Sequence, residues 1–273
     1  MIDRALFRLA RLGTGLSAVA ERPWVGRLVL PLVGLIAVWW AATAVFTPAP
    51  WLFPSPERVV AAAIRHHRDL LANGVVTGVE IVLGLAVGVV LGVATAVVTA
   101  LVPWTARLVM PAVVIVQALP VFALAPLLVT WFGFGLASKV VMASLIIFFP
   151  VTAALHDGLS RLDPGLLDLA RSAKATRAQT FLHLRLPSAM PALASGLRMA
   201  ATVAPIGAVI GEWVGASQGL GLMMMHANAR LQTDTMFAAL AVLALLALVV
   251  RAGVELLTRR LAPWAPESGP SFL

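Results

Sequence analysis

The chain has 273 residues, 60% of them hydrophobic and 12% charged, with a mean hydropathy of +0.96. A soluble domain is about half apolar and a quarter charged, so this composition excludes one and leaves room for about six spans of ~20 residues. The absence of cysteine excludes disulfides, thiolate zinc clusters and thiol chemistry. A net charge of +8 fits the Lys and Arg that a membrane protein keeps on its cytoplasmic side better than it fits nucleic-acid binding.

Arg4, Arg8 and Arg11 share one helical face, with Ala5, Leu9, Leu12 and Leu16 opposite. Residues 1–27 therefore read as a cytoplasmic amphipathic segment lying on the membrane surface. Ala18-Val19-Ala20 mimics a signal-peptidase site, but residues 2–17 hold no apolar run long enough for a signal core. Apolar runs predict spans at 28–46, 76–101, 108–131, 138–156, 190–213 and 236–257. With the N-terminus inside, the cytoplasmic segments 1–27, 102–107, 157–189 and 258–273 hold 13 of the 20 Lys and Arg residues. The outside segments hold Arg58, Arg65, Arg68, Lys139 and Arg230, and that asymmetry predicts both termini in the cytoplasm. The fold expected is all-α: one six-span transmembrane domain over 28–257, with a tail over 258–273.

Between the first two spans, Pro54-Ser55-Pro56 opens a helical stretch to about Leu71 whose length and charges predict an interfacial helix. Gly84, Gly88 and Gly92 in span two, and Gly207, Gly211 and Gly215 in span five, recur every four residues and predict close helix packing, with contact between two copies as the second use. Pro120 and Pro126, beside Gln117, predict a kinked third span with free carbonyls. Glu80 and Glu212 are costly in hydrocarbon. They face an aqueous path or pair with Arg198 or a polar neighbour, and a structural ion pair competes with the path. Trp24, Trp51, Trp104 and Trp213 fall near span ends, as an interfacial belt requires.

Residues 163–187, DPGLLDLARSAKATRAQTFLHLRLP, interrupt this apolar pattern with a polar, basic helix pair. Asp163 and Pro164 suit the start of the first helix; Thr176 and Gln179 form a capping box for the second. Asp168-Leu-Ala-Arg-Ser-Ala-Lys-Ala-Thr, followed by Leu186-Pro187, resembles the EAA loop of ATP-binding-cassette (ABC) importer permeases. Likeness to that family runs from about Pro54 to Ala262 and is strong at Leu52-Phe-Pro-Ser-Pro56, at PVFALAPLLVTWFGFGLASK from Pro120, and at Gly211-Glu-Trp-Val-Gly-Ala216. Within the family the chain is similar to the nitrate, sulfonate and taurine branch. GEWVGASQGLGLMMMHANARLQTD is similar to permeases grouped with hydroxymethylpyrimidine, a thiamine precursor.

The resemblance implies a type I importer permease in a bacterial inner membrane. It would pair with a second copy along a central path, dock an ATPase below and meet a soluble binding protein above. The implied coupling residues are Asp168, Ala170, Arg171, Lys174, Thr176 and Phe181; Ala170 and Phe181 have the alternative of facing the inner ends of the spans. Gln117, Pro120, Glu80 and Glu212 are the candidates for the path. The family carries glycine where this chain has Lys174, so Lys174 either enters a left-handed cap or reshapes the turn. No cofactor is expected on the chain itself. Neither Lys139 nor Lys174 follows glycine, so no Walker A loop exists and ATP-Mg belongs to a partner. Two acids in the membrane tilt the cargo towards a neutral or cationic heterocycle. Two rival classes are an ion-coupled secondary transporter and a membrane hydrolase built on Gly215-Ala-Ser217-Gln-Gly219 with His226 and Asp234. The hydrolase needs a strand-to-helix turn that this sequence does not supply.

Overall fold

A computed structural model describes residues 30–264, so the amphipathic segment expected over 1–27, Trp24 and the end of the tail lie outside the described residues. Eleven α-helices and one π turn make up the described chain, and no strand occurs in it. Helix α1 (Leu30–Phe46) is a 17-residue apolar helix. Trp39 of α1 meets Phe237 at 5.6 Å and Phe53 at 6.1 Å between ring centroids, and its indole N–H donates to the Pro54 carbonyl at 3.0 Å.

Helix α2 (Pro56–Arg65) starts at a proline, where a missing N–H is harmless, and buries Val59 and Ala62. Val60 and Ile64 turn outward, as an interfacial helix requires. The expected single stretch to Leu71 is corrected: the chain turns a corner at His66, and Leu71 belongs to the next helix. That helix, α3 (His67–Leu101), has 35 residues. At 1.5 Å per residue it is roughly 50 Å long, more than the hydrocarbon core needs.

The third span is not one kinked helix. Helix α4 (Pro103–Ala118) and helix α5 (Val121–Phe132) meet at a bend of 100°. Proline disfavours helical backbone in the residue before it, and Leu119 has left the helix, with ψ of 135°. Pro126 stays inside α5.

Helix α6 (Leu136–Ser160) forms the centre of the bundle, between α3 and the long helix α9 (Leu186–Gly215). The core is the seam of these three, with Ile81, Ala143, Ile147, Val151, Ala200 and Ala204 all buried. Glycine is required at Gly88, where a Cβ would fall 2.7 Å from Ile147, and at Gly207, where it would fall 2.7 Å from the Ala143 backbone. Both glycine stripes are therefore used inside the chain: Gly84, Gly88 and Gly92 face α6, as do Gly207 and Gly211 from α9, while Gly215 faces Val129 on α5.

Two short helices lie between the spans: α7 (Pro164–Ser172) and α8 (Arg177–Thr180). Helix α10 (Leu220–Ala229) caps the opposite end of the bundle, and α11 (Thr233–Leu261) returns across it. Arg65 on α2 reaches Asp234 on α11 at 3.2 Å. Four stretches, within 67–101, 136–160, 177–215 and 233–261, are long and apolar enough to cross a membrane, and the bent α4–α5 pair supplies a fifth.

Candidate functional site

The polar loop folds from local signals. The Asp163 carboxylate accepts the Gly165 N–H at 2.7 Å and caps α7. At the other end of α7, the Lys174 N–H donates to the Arg171 carbonyl at 3.0 Å and the Ala175 N–H to the Ala170 carbonyl at 2.9 Å. These two bonds make a Schellman cap, which needs the residue just past the C-cap in the left-handed region. Lys174 is there, with φ of +53°, so the turn keeps the shape that glycine would give it. Thr176 and Gln179 exchange both bonds of a capping box, at 3.2 and 2.8 Å.

The second helix of the pair is not separate from the span that follows. Helix α8 passes through a π turn, Phe181–Arg185, directly into α9, giving one helical run from 177 to 215. The π turn ends two residues before Pro187, which has no N–H to return to the preceding turn. This wide turn was not legible from the sequence and places the loop on a rigid extension of a core helix.

Asp168 and Arg171 are exposed on α7 and pair at 2.9 Å. Lys174 and Thr176 are also exposed. Ala170 is buried and Phe181 packs against the core seam, so these two anchor the helix pair to the spans. Leu169 and Leu182 present apolar surface beside the charges.

The intramembrane acids are enclosed in packed protein. Glu80 on α3 pairs with Lys139 on α6 at 2.8 Å, with side chains 1% and 7% exposed. The partner of Glu80 is therefore Lys139, not Arg198, and Lys139 is a buried core residue and not an outside charge. Its burial goes with close packing of α9, since a Cβ added at Gly211 would fall 3.2 Å from the Lys139 Cα. Glu212, fully buried on α9, accepts from the Thr77 hydroxyl and from the Gly221 N–H. Thr77 in turn accepts the Leu220 N–H at 2.9 Å, and Asn73 accepts the Gly219 N–H at 2.7 Å. Gly219 has φ of +134°, and a Cβ there would overlap the Glu212 carboxylate. Sequence reasoning missed Asn73, Thr77 and Lys139. The spacing of Asn73, Thr77 and Glu80 by four and three residues, one helical face, was the available signal.

Gln117 and Pro120 lie exposed at the α4–α5 break. Arg251 donates to the Thr202 hydroxyl at 2.6 Å, one turn beyond Arg198. Ser217 sits in a bend, with no strand among the described residues, and Asp234 is committed to Arg65, so the nucleophile elbow has no frame. Ser217 instead lines a crevice of about 400 Å³ with His66, Asn73, Gln218 and His226. Among the described residues, no group of three or more His, Asp or Glu side chains is placed to hold a metal.

The family model described as "Binding-protein-dependent transport system inner membrane component" matches residues 88–263. A probable ABC transporter permease protein of Haemophilus influenzae is 47% identical over 86% of this chain and 97% of its own. The formylaminopyrimidine transport permease protein ThiX of Halalkalibacterium halodurans is 34% identical over 84% of this chain and 92% of its own. The putative aliphatic sulfonates transport permease protein SsuC of Escherichia coli is 33% identical over 91% and 96%. Among solved structures, the inward-facing MetNI methionine ABC transporter matches with a TM-score of 0.61, over 72% of this chain and 98% of that one, at 19% identity. That likeness shows the fold. The chain belongs to the binding-protein-dependent transport inner-membrane component family, the permease subunits of ABC importers, in which ATP is hydrolysed by a separate subunit.

Proposed function

We propose that this permease imports a thiamine-precursor pyrimidine, hydroxymethylpyrimidine or a close relative, as one of two identical subunits around a central path. Both termini and the loop 157–189 lie in the cytoplasm. Asp168, Arg171, Lys174 and Thr176 form the surface that meets the ATPase, where ATP-Mg is bound. Ala170 and Phe181 carry its motion into α9. ATP closes the ATPases, the rigid run from 177 to 215 transmits that motion, and the spans open outward to take substrate from a binding protein. Gln117 and Pro120 line the path, where the broken backbone at Leu119 frees carbonyls for water or cargo.

The observation that carries the coupling assignment is the exposed, doubly capped helix pair fused without a loop to a core helix. Ion pairs exposed to this degree contribute little to stability, so charges held there suit a partner better than they suit the fold. For the cargo, the two acids give no preference of charge, because Lys139 pairs with Glu80 and Glu212 is enclosed. Support now comes from the stretch 211–234 and from the formylaminopyrimidine permease among the relatives. The sulfonate permease at near-equal identity favours a second reading, with an aliphatic sulfonate or taurine as cargo.

The test is uptake of labelled hydroxymethylpyrimidine by cells carrying the ATPase and binding protein, with and without this chain. Chain-dependent uptake that ceases on ATP depletion and persists when the ion gradient is collapsed is expected. Chain-dependent uptake of taurine in place of the pyrimidine overturns the cargo and keeps the permease.

A further inference from the structure

Resting on that reading, α10 and the loop 216–219 form the outward end of the bundle, where a binding protein arrives. The crevice there has Ser217 and Gln218 on one side and His66 and Asp69 on the other, with Asn73 between them. Asn73 is also a member of the buried network, since its side-chain oxygen accepts the Gly219 N–H. From Asn73 the contacts run inward through Thr77 to Glu212, while Glu80 on the same face of α3 continues to Lys139 on α6. One polar seam thus joins the rim loop, α3, α6 and α9.

We propose that Glu212 is a positioning residue that transmits binding-protein docking from the rim loop to the spans. Its carboxylate holds the loop from inside, at Gly221, and holds α3 at Thr77. Gly219 passes so close that no side chain fits between loop and carboxylate. A seam that served the fold alone has a better apolar solution, because buried ion pairs are commonly replaced by hydrophobic residues without loss. This one instead encloses two carboxylates with one ammonium and leaves Glu80 Oε2 buried without a partner.

The experiment uses the assembled permease, ATPase and binding protein in lipid nanodiscs. Hydrolysis is measured with and without liganded binding protein, for the wild type, Glu212→Gln and Asn73→Ala. Glu212→Gln keeps its size but loses the charge and one acceptor. The expected result is normal assembly and basal hydrolysis, a binding protein that still docks, and stimulation reduced about tenfold, within the usual range for coupling between sites. Wild-type stimulation in Glu212→Gln overturns the proposal, and so does loss of docking. If Glu212→Gln fails to assemble, Asn73→Ala decides, because it removes the rim acceptor and one bond within α3 while leaving the Glu212 carboxylate in place: retained stimulation overturns the proposal and reduced stimulation upholds it. A wild-type complex that shows no stimulation overturns the importer reading itself and takes this inference with it.

Discussion

At the loop end of the bundle, polar side chains are exposed and bonded to neighbours two to four positions away, as in Asp163 with Gly165 and His183 with Gln179. At the α10 end they are buried and bonded across 59 positions for Lys139 and Glu80, and across 135 for Glu212 and Thr77. The first end can be reshaped by a partner at little cost to the fold. The second is part of the fold, and each group there is bonded to a partner on another helix.

Removing Lys139 breaks this contrast most severely. Lys139→Met leaves the Glu80 carboxylate buried without its ammonium, an arrangement that costs about 3–5 kcal/mol. Thermal unfolding in detergent should drop sharply or assembly should fail. The double variant Glu80→Gln with Lys139→Met should recover most of the loss, since neither charge remains. No recovery would mean that the pair is not coupled as the geometry requires.

At the loop end the largest effect should be on a partner and not on folding. Arg171→Glu removes an exposed pair worth about 0.2–1 kcal/mol, so unfolding should barely move. If the surface docks an ATPase, a central arginine contributes about 2 kcal/mol or more. Pull-down of the ATPase and coupled uptake should then fall at least about tenfold in the folded variant. Unchanged binding and uptake would remove the loop from the coupling surface.

Gly207→Val tests whether the apolar seam between the two ends is as tight as its glycines imply. The new side chain meets the Ala143 backbone, which cannot swing aside. Overpacking of this kind costs about 1–3 kcal/mol. The matched Gly253→Val, in open space on α11, should be neutral or slightly stabilising, because valine forms helix better than glycine. Equal unfolding temperatures for the two variants would contradict the packing.

What the sequence made legible follows the same division. The caps at Asp163 and Thr176, the left-handed option at Lys174 and the glycine stripes are short-range signals, and each is found in the structure. The partner of Glu80 was not legible, because Lys139 lies 59 residues away at the start of an apolar run and reads as a flanking charge. The break at Leu119 was legible as a proline effect, but its 100° bend depends on how α4 and α5 pack, which no local pattern encodes. The fusion of α8 into α9 was hidden by Pro187 and Pro191, which read as helix ends until the π turn absorbs the first.

Lys174 gives the smallest and cleanest test of the loop end. A lysine with φ of +53° holds a backbone conformation that glycine enters freely, at a cost of about 1 kcal/mol relative to glycine. Lys174→Gly should therefore stabilise the cap, partly offset by the greater freedom of glycine in the unfolded chain. Amide exchange at Ala175, whose N–H closes the cap on Ala170, should slow by up to about fivefold if local opening controls it. Lys174→Ala keeps the strain and removes the charge, so it should leave that exchange unchanged. If Lys174→Gly and Lys174→Ala alter ATPase binding alike, the ammonium is what the partner meets. If only the glycine variant alters it, the stiffness of the cap is what the partner senses.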